Sequence, residues 1–304
     1  MSKRILITGG SGLLALNWAL HDREYNEVVL ALHDRQIFLA GTKALKMDLT
    51  SLETISRSIE QIQPDLIVHT AGLTSVEDCE KNPRIAKAVN TDLASNVAKA
   101  CSDFNIPMVH ISTDHIFSGD FEMADEETPV KPMNVYAFTK AEAETKVLEN
   151  YSAALVVRTN FYGWGPAYRP SFSDQIIHSL RKGQKLSLFD DVFYTPILAE
   201  SLIITVHELL EAGAVGIYNV VSDDRISKYD FGIAIAEIFS INKSLIKRGK
   251  IANKPGLVQR PLDMSLSNRK ACSKLGHSLG GVNQDLNRLM EQEKSGIINE
   301  IIKL

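Results

Sequence analysis

The chain has 304 residues, 44% of them apolar and 23% charged, the proportions of an ordinary globular protein with ample core. Its 33 basic and 37 acidic side chains leave a formal charge of −4 without a long basic run, so neither nucleic acid nor an anionic membrane is an expected partner. No apolar stretch approaches the ~20 residues that span a bilayer, and Cys79, Cys101 and Cys272, odd in number and widely spaced, match neither a disulfide framework nor a metal cluster.

The first element is the most informative. A short apolar strand, Ile5-Leu6-Ile7, runs straight into Thr8-Gly9-Gly10-Ser11-Gly12 and then a helix-like stretch from Leu13 to Leu20. The apolar run is too short for the core of a secretory signal, and a cytoplasmic location with reduced cysteines is expected. Strand, glycine turn and helix in this order are how a doubly wound fold binds a dinucleotide. Gly9 and Gly12 permit the tight turn and a close backbone approach, and Ala15 still lets the helix pack on its strand. Ser11, Gly12, Leu13 and Leu14 then offer a helix N-terminus to a pyrophosphate.

A second strand, Val28 to Leu32, leads to His33-Asp34-Arg35, where the choice of cofactor is made. Asp34 stands near the spacing of an acid that takes the ribose 2′-hydroxyl of NAD. If the strand ends at Leu32, His33 occupies its tip and Arg35 meets a 2′-phosphate, so NADP is favoured and NAD is the alternative. Asp48-Leu49 follows a third strand and either flanks an adenine or simply ends the strand. Further on, Leu52 to Gln61 has helical spacing, Asp65 to His69 is strand-like, Arg84 to Phe104 reads as one long helix, and Pro107 to Ser112 is another strand. Val135 to Asn150 is helical and Ala154 to Arg158 is a strand.

Apolar strands alternating with helices call for a parallel sheet covered on both faces, an α/β Rossmann fold. Residues 1–160 are expected to form the dinucleotide-binding domain, rejoined by about 195–222, and 161–304 to form mainly a smaller, mostly helical substrate-binding lobe. Phe161 to Pro166 reads as a loop. Ser201 to Glu211, Lys228 to Phe239 and Asn283 to Leu304 read as helices, and Ile217 to Val220 as a strand. His69 and His110 end apolar strands and read as core or edge histidines. Lys182 to Lys185 reads as a solvated turn, and Asp190-Asp191 lacks partners at metal spacing.

Ligands bind beyond the carboxyl ends of strands in open α/β sheets. Gly9 to Gly12, Thr70-Ala71-Gly72 and Ser112-Thr113-Asp114 all fall there, and the first two groups and Ser112 are expected to border the cofactor. Tyr136 and Lys140, four residues apart, share one helix face. A phenol of pKa ~10 is a poor proton carrier near neutrality, but a lysine ammonium beside it favours the phenolate. The same lysine can hold a ribose hydroxyl, while Thr113 or Ser112 orients a substrate oxygen.

These residues, in this order, resemble the extended short-chain dehydrogenase/reductases, most of all the dTDP-4-dehydrorhamnose reductases. The resemblance runs over nearly the whole chain. It includes Thr8 to Leu14, Val89-Asn90, His110 to Asp114, Glu127-Thr128-Pro129, Asn134 to Lys140 and Arg260-Pro261-Leu262. It implies hydride transfer between a nicotinamide and C4 of a nucleotide-linked 4-keto-6-deoxy sugar. Tyr136 would be the general acid, Lys140 its modifier and ribose ligand, and Thr113 the carbonyl-orienting hydroxyl.

His115 stands where the family usually has a second tyrosine, and Asn160-Phe161-Tyr162 replaces its Ser-Trp-Val stretch. Asn160 is expected beside the nicotinamide. Asp114, His115, Phe161, Tyr162, Trp164 and Arg260 are expected on the substrate side, with Tyr168 as a further aromatic; a packed hinge between lobes would use the same aromatics. A guanidinium at Arg260 suits a diphosphate, and an ordinary surface arginine is the equal alternative. Two other functions fit the same motifs: an epimerase or dehydratase of a nucleotide sugar, or an NADP-binding regulatory subunit resembling the β subunit of methionine adenosyltransferase. A homodimer is compatible with each, although the sequence fixes no oligomeric state.

Overall fold

Residues 2–304 are described by a computed structural model of the chain. The strand-like stretches assemble into one seven-stranded parallel sheet. Its members are β1 (Arg4–Thr8), β2 (Glu27–Leu32), β3 (Lys43–Lys46), β4 (Leu66–His69), β5 (Met108–Ile111), β6 (Leu155–Arg158) and a late strand, Gly216–Asn219. The order across the sheet is Gly216–Asn219, β6, β5, β4, β1, β2, β3. Register puts Thr8 beside His69 and His69 beside His110, so three polar residues align at the carboxyl ends of neighbouring strands.

The period-two alternation of each strand supplies both faces. Ile5, Ile7, Val28 and Leu30 pack with Leu16, Trp18, Leu202 and Val206 on one side. Leu6, Val29 and Ile67 pack with Ile55, Val97 and Val147 on the other. The first layer contains α1 (Leu13–Asp22). The second contains α2 (Leu52–Ile62) and, after the short α3 (Val76–Lys81) and α4 (Pro83–Lys87), α5 (Leu93–Phe104) and α6 (Val135–Asn150). Two of the long ones start on a capping side chain: Ser51 caps α2 by accepting from the Thr54 N–H, and Asn134 caps α6 by accepting from the Ala137 N–H.

The expected long helix from Arg84 to Phe104 is interrupted by a π-helical stretch, Ala88–Asp92. The widened turn lets Asn90 reach Leu73 and Thr139, holding the loop after β4 against α6.

Beyond Arg158 the chain makes a lobe with its own core. Phe161–Tyr162, expected as loop, forms the short strand β7. It is followed by α7 (Phe172–Arg181), β8 (Leu186–Phe189), β9 (Phe193–Tyr194) and β10 (Ile197–Leu198). Helix α8 (Ala199–Glu211) leads to β11 (Gly216–Asn219), the strand that rejoins the main sheet beside β6. Then come β12 (Ile226–Ser227), α9 (Lys228–Ile238), β13 (Ile246–Gly249), α10 (Arg269–Leu275), α11 (Val282–Ser295) and the short α12 (Asn299–Ile302). Three strand pairs, β7 with β10, β8 with β13 and β9 with β12, supplement what the sequence read as almost purely helical.

Buried Asp22 accepts from the Trp18 indole N–H at 2.9 Å and bonds His207 of α8 at 2.9 Å, pinning α8 onto α1. No described helix is long and apolar enough to cross a membrane.

Candidate active site

The glycine turn is built for close approach. Gly9 has φ +68°, and a Cβ there would lie 2.8 Å from the Ala71 backbone. That contact sets Thr70-Ala71-Gly72, the loop after β4, against the turn after β1. Gly12 instead has φ −80° and stands at the N-cap of α1 without a capping side chain, so the first-turn N–H groups stay available to an anion. Leu13 is half-buried, whereas Leu14 is in the core and contributes only its backbone.

A segment of the lobe lies over this turn. The Tyr168 hydroxyl donates to the Ser11 carbonyl at 2.7 Å, and the Arg35 guanidinium stacks 3.8 Å from the Tyr168 ring centroid. Arg35 therefore stands beside the turn, while His33 and Asp34 pair with each other in solvent at 2.9 Å. The Asp48 carboxylate accepts from the Thr50 N–H at 2.9 Å and the Thr50 hydroxyl at 2.7 Å, and Leu49 is buried in the core. Both are engaged locally. A free helix N-terminus, a turn with no room for a Cβ and an adjacent guanidinium together fit a phosphorylated dinucleotide.

At the end of β5 the chemistry gathers. Tyr136 and Lys140 are both buried on α6. Burial pushes the Tyr136 phenol up to about 12, and a hydrogen bond with Thr113 works against that rise. Burial pushes Lys140 down to about 8, opposed by the Glu144 carboxylate. The Lys140 ammonium donates to the Ile111 carbonyl at 2.7 Å and approaches His110 Nε2 at 3.4 Å. Ser112, expected beside the cofactor, instead donates its hydroxyl to Glu144 at 2.6 Å. Glu144 is also paired with Arg158 at 2.8 Å. Ser112 thus gives the buried Glu144–Arg158 pair one more hydrogen bond, satisfying carboxylate lone pairs that burial removes from water. The Thr113 hydroxyl lies beside Tyr136, donating to Asp114 Oδ1 at 3.2 Å and accepting from the His115 N–H at 3.3 Å.

Around Thr113 lie the residues expected on the substrate side. Asp114 is buried and accepts from Asn160 Nδ2 at 2.6 Å. The His115 ring meets Tyr136 edge-on at 5.6 Å, and burial lowers its pKa. Arg260 pairs with Glu77 and bears on both His115 and Lys228.

Lys228 is the residue that sequence reading missed. It begins α9, its Nζ sits 3.3 Å from the Tyr194 ring centroid and 5.0 Å from that of Phe172, and burial pushes it down to about 8. It has no ion-pair partner among the described residues. A lysine opening an ordinary capped helix gives no sequence signal of this.

Two expected pocket aromatics lie elsewhere. Trp164 is 1% exposed, donates from its indole to the Leu289 carbonyl at 3.1 Å and meets Phe239 edge-on, inside the lobe. Tyr162 is buried against Phe231 with ring centroids 5.0 Å apart. Phe161, half-buried, packs against the core between the sheet, α1 and α8. The small β7–β10 pair carries Phe161 and Tyr162 into cores on either side, and Trp164 follows into the lobe.

Residues 3–295 match the family described as the RmlD substrate binding domain. The chain is 29% identical to the probable low-salt glycan biosynthesis reductase Agl14 of Haloferax volcanii, over 92% of this chain and 95% of that protein. It is 27% identical to the methionine adenosyltransferase 2 subunit beta of Rattus norvegicus, over 90% of this chain and 82% of that one. Among solved structures, dTDP-4-dehydrorhamnose reductase from Bacillus anthracis, in complex with NADP, superposes with a TM-score of 0.85. There the identity is 23%, with 96% of this chain and 100% of that chain covered.

Proposed function

Since the chain belongs to the RmlD substrate binding domain family, we propose that it is an NADP-dependent reductase of the C4 keto group of a nucleotide-linked 4-keto-6-deoxy sugar. The observation that carries this reading is the Thr113–Tyr136–Lys140 cluster at the end of β5, next to a turn shaped for a dinucleotide. Gly9, Ser11, Gly12 and the first turn of α1 would hold the pyrophosphate, Arg35 the 2′-phosphate, and Lys140 the nicotinamide ribose. The reduced nicotinamide supplies the hydride.

The chain's own residues do the rest. Thr113 donates to the carbonyl oxygen and fixes its direction. Burial keeps the Tyr136 phenol protonated at neutral pH, and the Lys140 charge with a bound nicotinamide would have to bring it down toward the working pH for it to act as the general acid. As negative charge develops on the substrate oxygen, the phenol O–H bond breaks and the proton moves to that oxygen. The Lys140 ammonium then stabilises the phenolate left behind. Lys228 and Arg260 add positive charge beside Asp114 and His115, where the anionic part of a nucleotide sugar would lie.

The similarity to the rat subunit over 90% of this chain supports a second reading, an NADP-binding regulatory subunit. Absorbance-monitored NADPH oxidation against a panel of nucleotide-linked 4-keto-6-deoxy sugars separates the two. Turnover with one member is expected. NADPH binding without turnover on any member would favour the regulatory reading.

A further inference from the structure

Behind Lys140 lies a row of buried polar groups that the reaction as described does not use. His110 and His69 are both 0% exposed, and their rings stack with centroids 5.4 Å apart at 20°. His69 Nδ1 is 2.8 Å from the Thr8 hydroxyl, at the last residue before the glycine turn. His69 Nε2 and His110 Nδ1 have no partner. A row therefore runs from Thr8 through His69 and His110 to Lys140, crossing β1, β4, β5 and α6.

An ammonium has three N–H donors and no acceptor. The Ile111 carbonyl takes one at 2.7 Å, and the bare face of His110 Nε2 lies toward the second at 3.4 Å. We propose that His110 is a positioning residue for Lys140, its buried imidazole accepting from the ammonium so that the third N–H is left for the cofactor ribose and Tyr136. Because the lysine can only donate, His110 must carry its hydrogen on Nδ1. Burial and the nearby Lys140 charge hold His110 well below its ordinary pKa, and His69 falls to about 3, so both rings are uncharged acceptors at working pH.

The sign of the effect follows. The groups facing Lys140 are His110 from β5, His69 from β4 and Glu144 on its own helix, with Arg158 of β6 reaching it through Glu144, and Tyr136 one turn earlier on the same helix. An acceptor favours the charged amine, so removing it lowers the lysine pKa further. From the reductase reading the proposal takes only the place of Lys140 beside the ribose, and its test needs no sugar.

The full chain is labelled with 13C at lysine Cε, and the Lys140 signal is assigned by its absence in Lys140→Arg. His110→Phe keeps the ring against His69 but removes the acceptor, whereas His110→Gln keeps an acceptor and removes the stack. The Lys140 midpoint should fall by about one pH unit in His110→Phe, the scale of one hydrogen bond to a charged group, and stay near wild type in His110→Gln. NADPH affinity should weaken in the first and be retained in the second. An unchanged Lys140 midpoint in His110→Phe overturns the proposal.

If that variant does not fold, the wild-type protein decides. Long-range 1H–15N spectra should show His110 protonated on Nδ1, and a hydrogen on Nε2 overturns the proposal. A failed sugar panel alongside these expected results would remove the reductase reading and leave His110's part intact.

Discussion

Arg35 shows how much one side chain can decide. Its guanidinium lies on Tyr168, whose hydroxyl is bonded to Ser11, so it is already ordered beside the turn. A contact between guanidinium and phosphate is charge-assisted and worth about 1.5–3 kcal/mol, or about 10- to 100-fold in affinity. Arg35→Ala should therefore weaken NADPH by that range while leaving NADH nearly unchanged, as read by fluorescence titration. Equal losses for both cofactors would mean that Arg35 does not meet a 2′-phosphate.

Residues of this kind were legible because short spacing ties them to one element: Arg35 to the end of β2, and Tyr136 and Lys140 to one face of α6. Lys228 was not, because what makes it unusual comes from Tyr194 and Phe172, distant in sequence. For a related reason the sequence leaves Trp164 and Tyr162 between pocket lining and packed core. An aromatic side chain looks the same in a sequence whether it faces a cleft or fills a core, and here Leu289 and Phe231 settle the matter.

At the scale of the element, the two outer glycines of the first turn do different work, and substitution should separate them. At Gly9 a side chain meets both a positive φ and the Ala71 backbone. Gly9→Ala should cost stability, by about 1–3 kcal/mol, as well as cofactor binding. At Gly12 the backbone is ordinary and the tightest contact is the Gly9 carbonyl at 3.1 Å. Gly12→Val should keep most of the stability but fill the space before the helix N-terminus and abolish NADPH binding. Thermal melts together with fluorescence titration check both, and an unchanged NADPH affinity in Gly12→Val would contradict the turn's assignment.

Long elements such as α6 could be read to the residue, since Asn134 caps its start and its apolar spacing runs to Asn150. The two-residue strands β7, β9, β10 and β12 could not, because a pair of residues carries no periodicity. The π-helical stretch was hidden as well, since its composition is that of ordinary helix and only the tertiary bonds of Asn90 require it.

In the whole molecule, sheet and lobe have separate cores joined across the site. Asn17 of α1 donates to the Trp164 carbonyl at 2.9 Å, and Asn160, after β6, donates to Asp114, after β5. The return of β11 to the sheet makes the two parts one continuous structure, and Lys228 at the start of α9 bears on Asp114 and His115 after β5. The alternation of strands and helices made this architecture legible, and the late apolar stretch Ile217 to Val220 signalled the return. The chemistry stands on Tyr136. Tyr136→Phe keeps the ring against His115 and removes the proton proposed to be transferred to the substrate oxygen. The direct test is kcat for NADPH oxidation with the reactive nucleotide 4-keto sugar, measured beside NADPH affinity. The account predicts a fall of ~10²–10⁴ in kcat for Tyr136→Phe with affinity nearly unchanged, and wild-type turnover by that variant would contradict it.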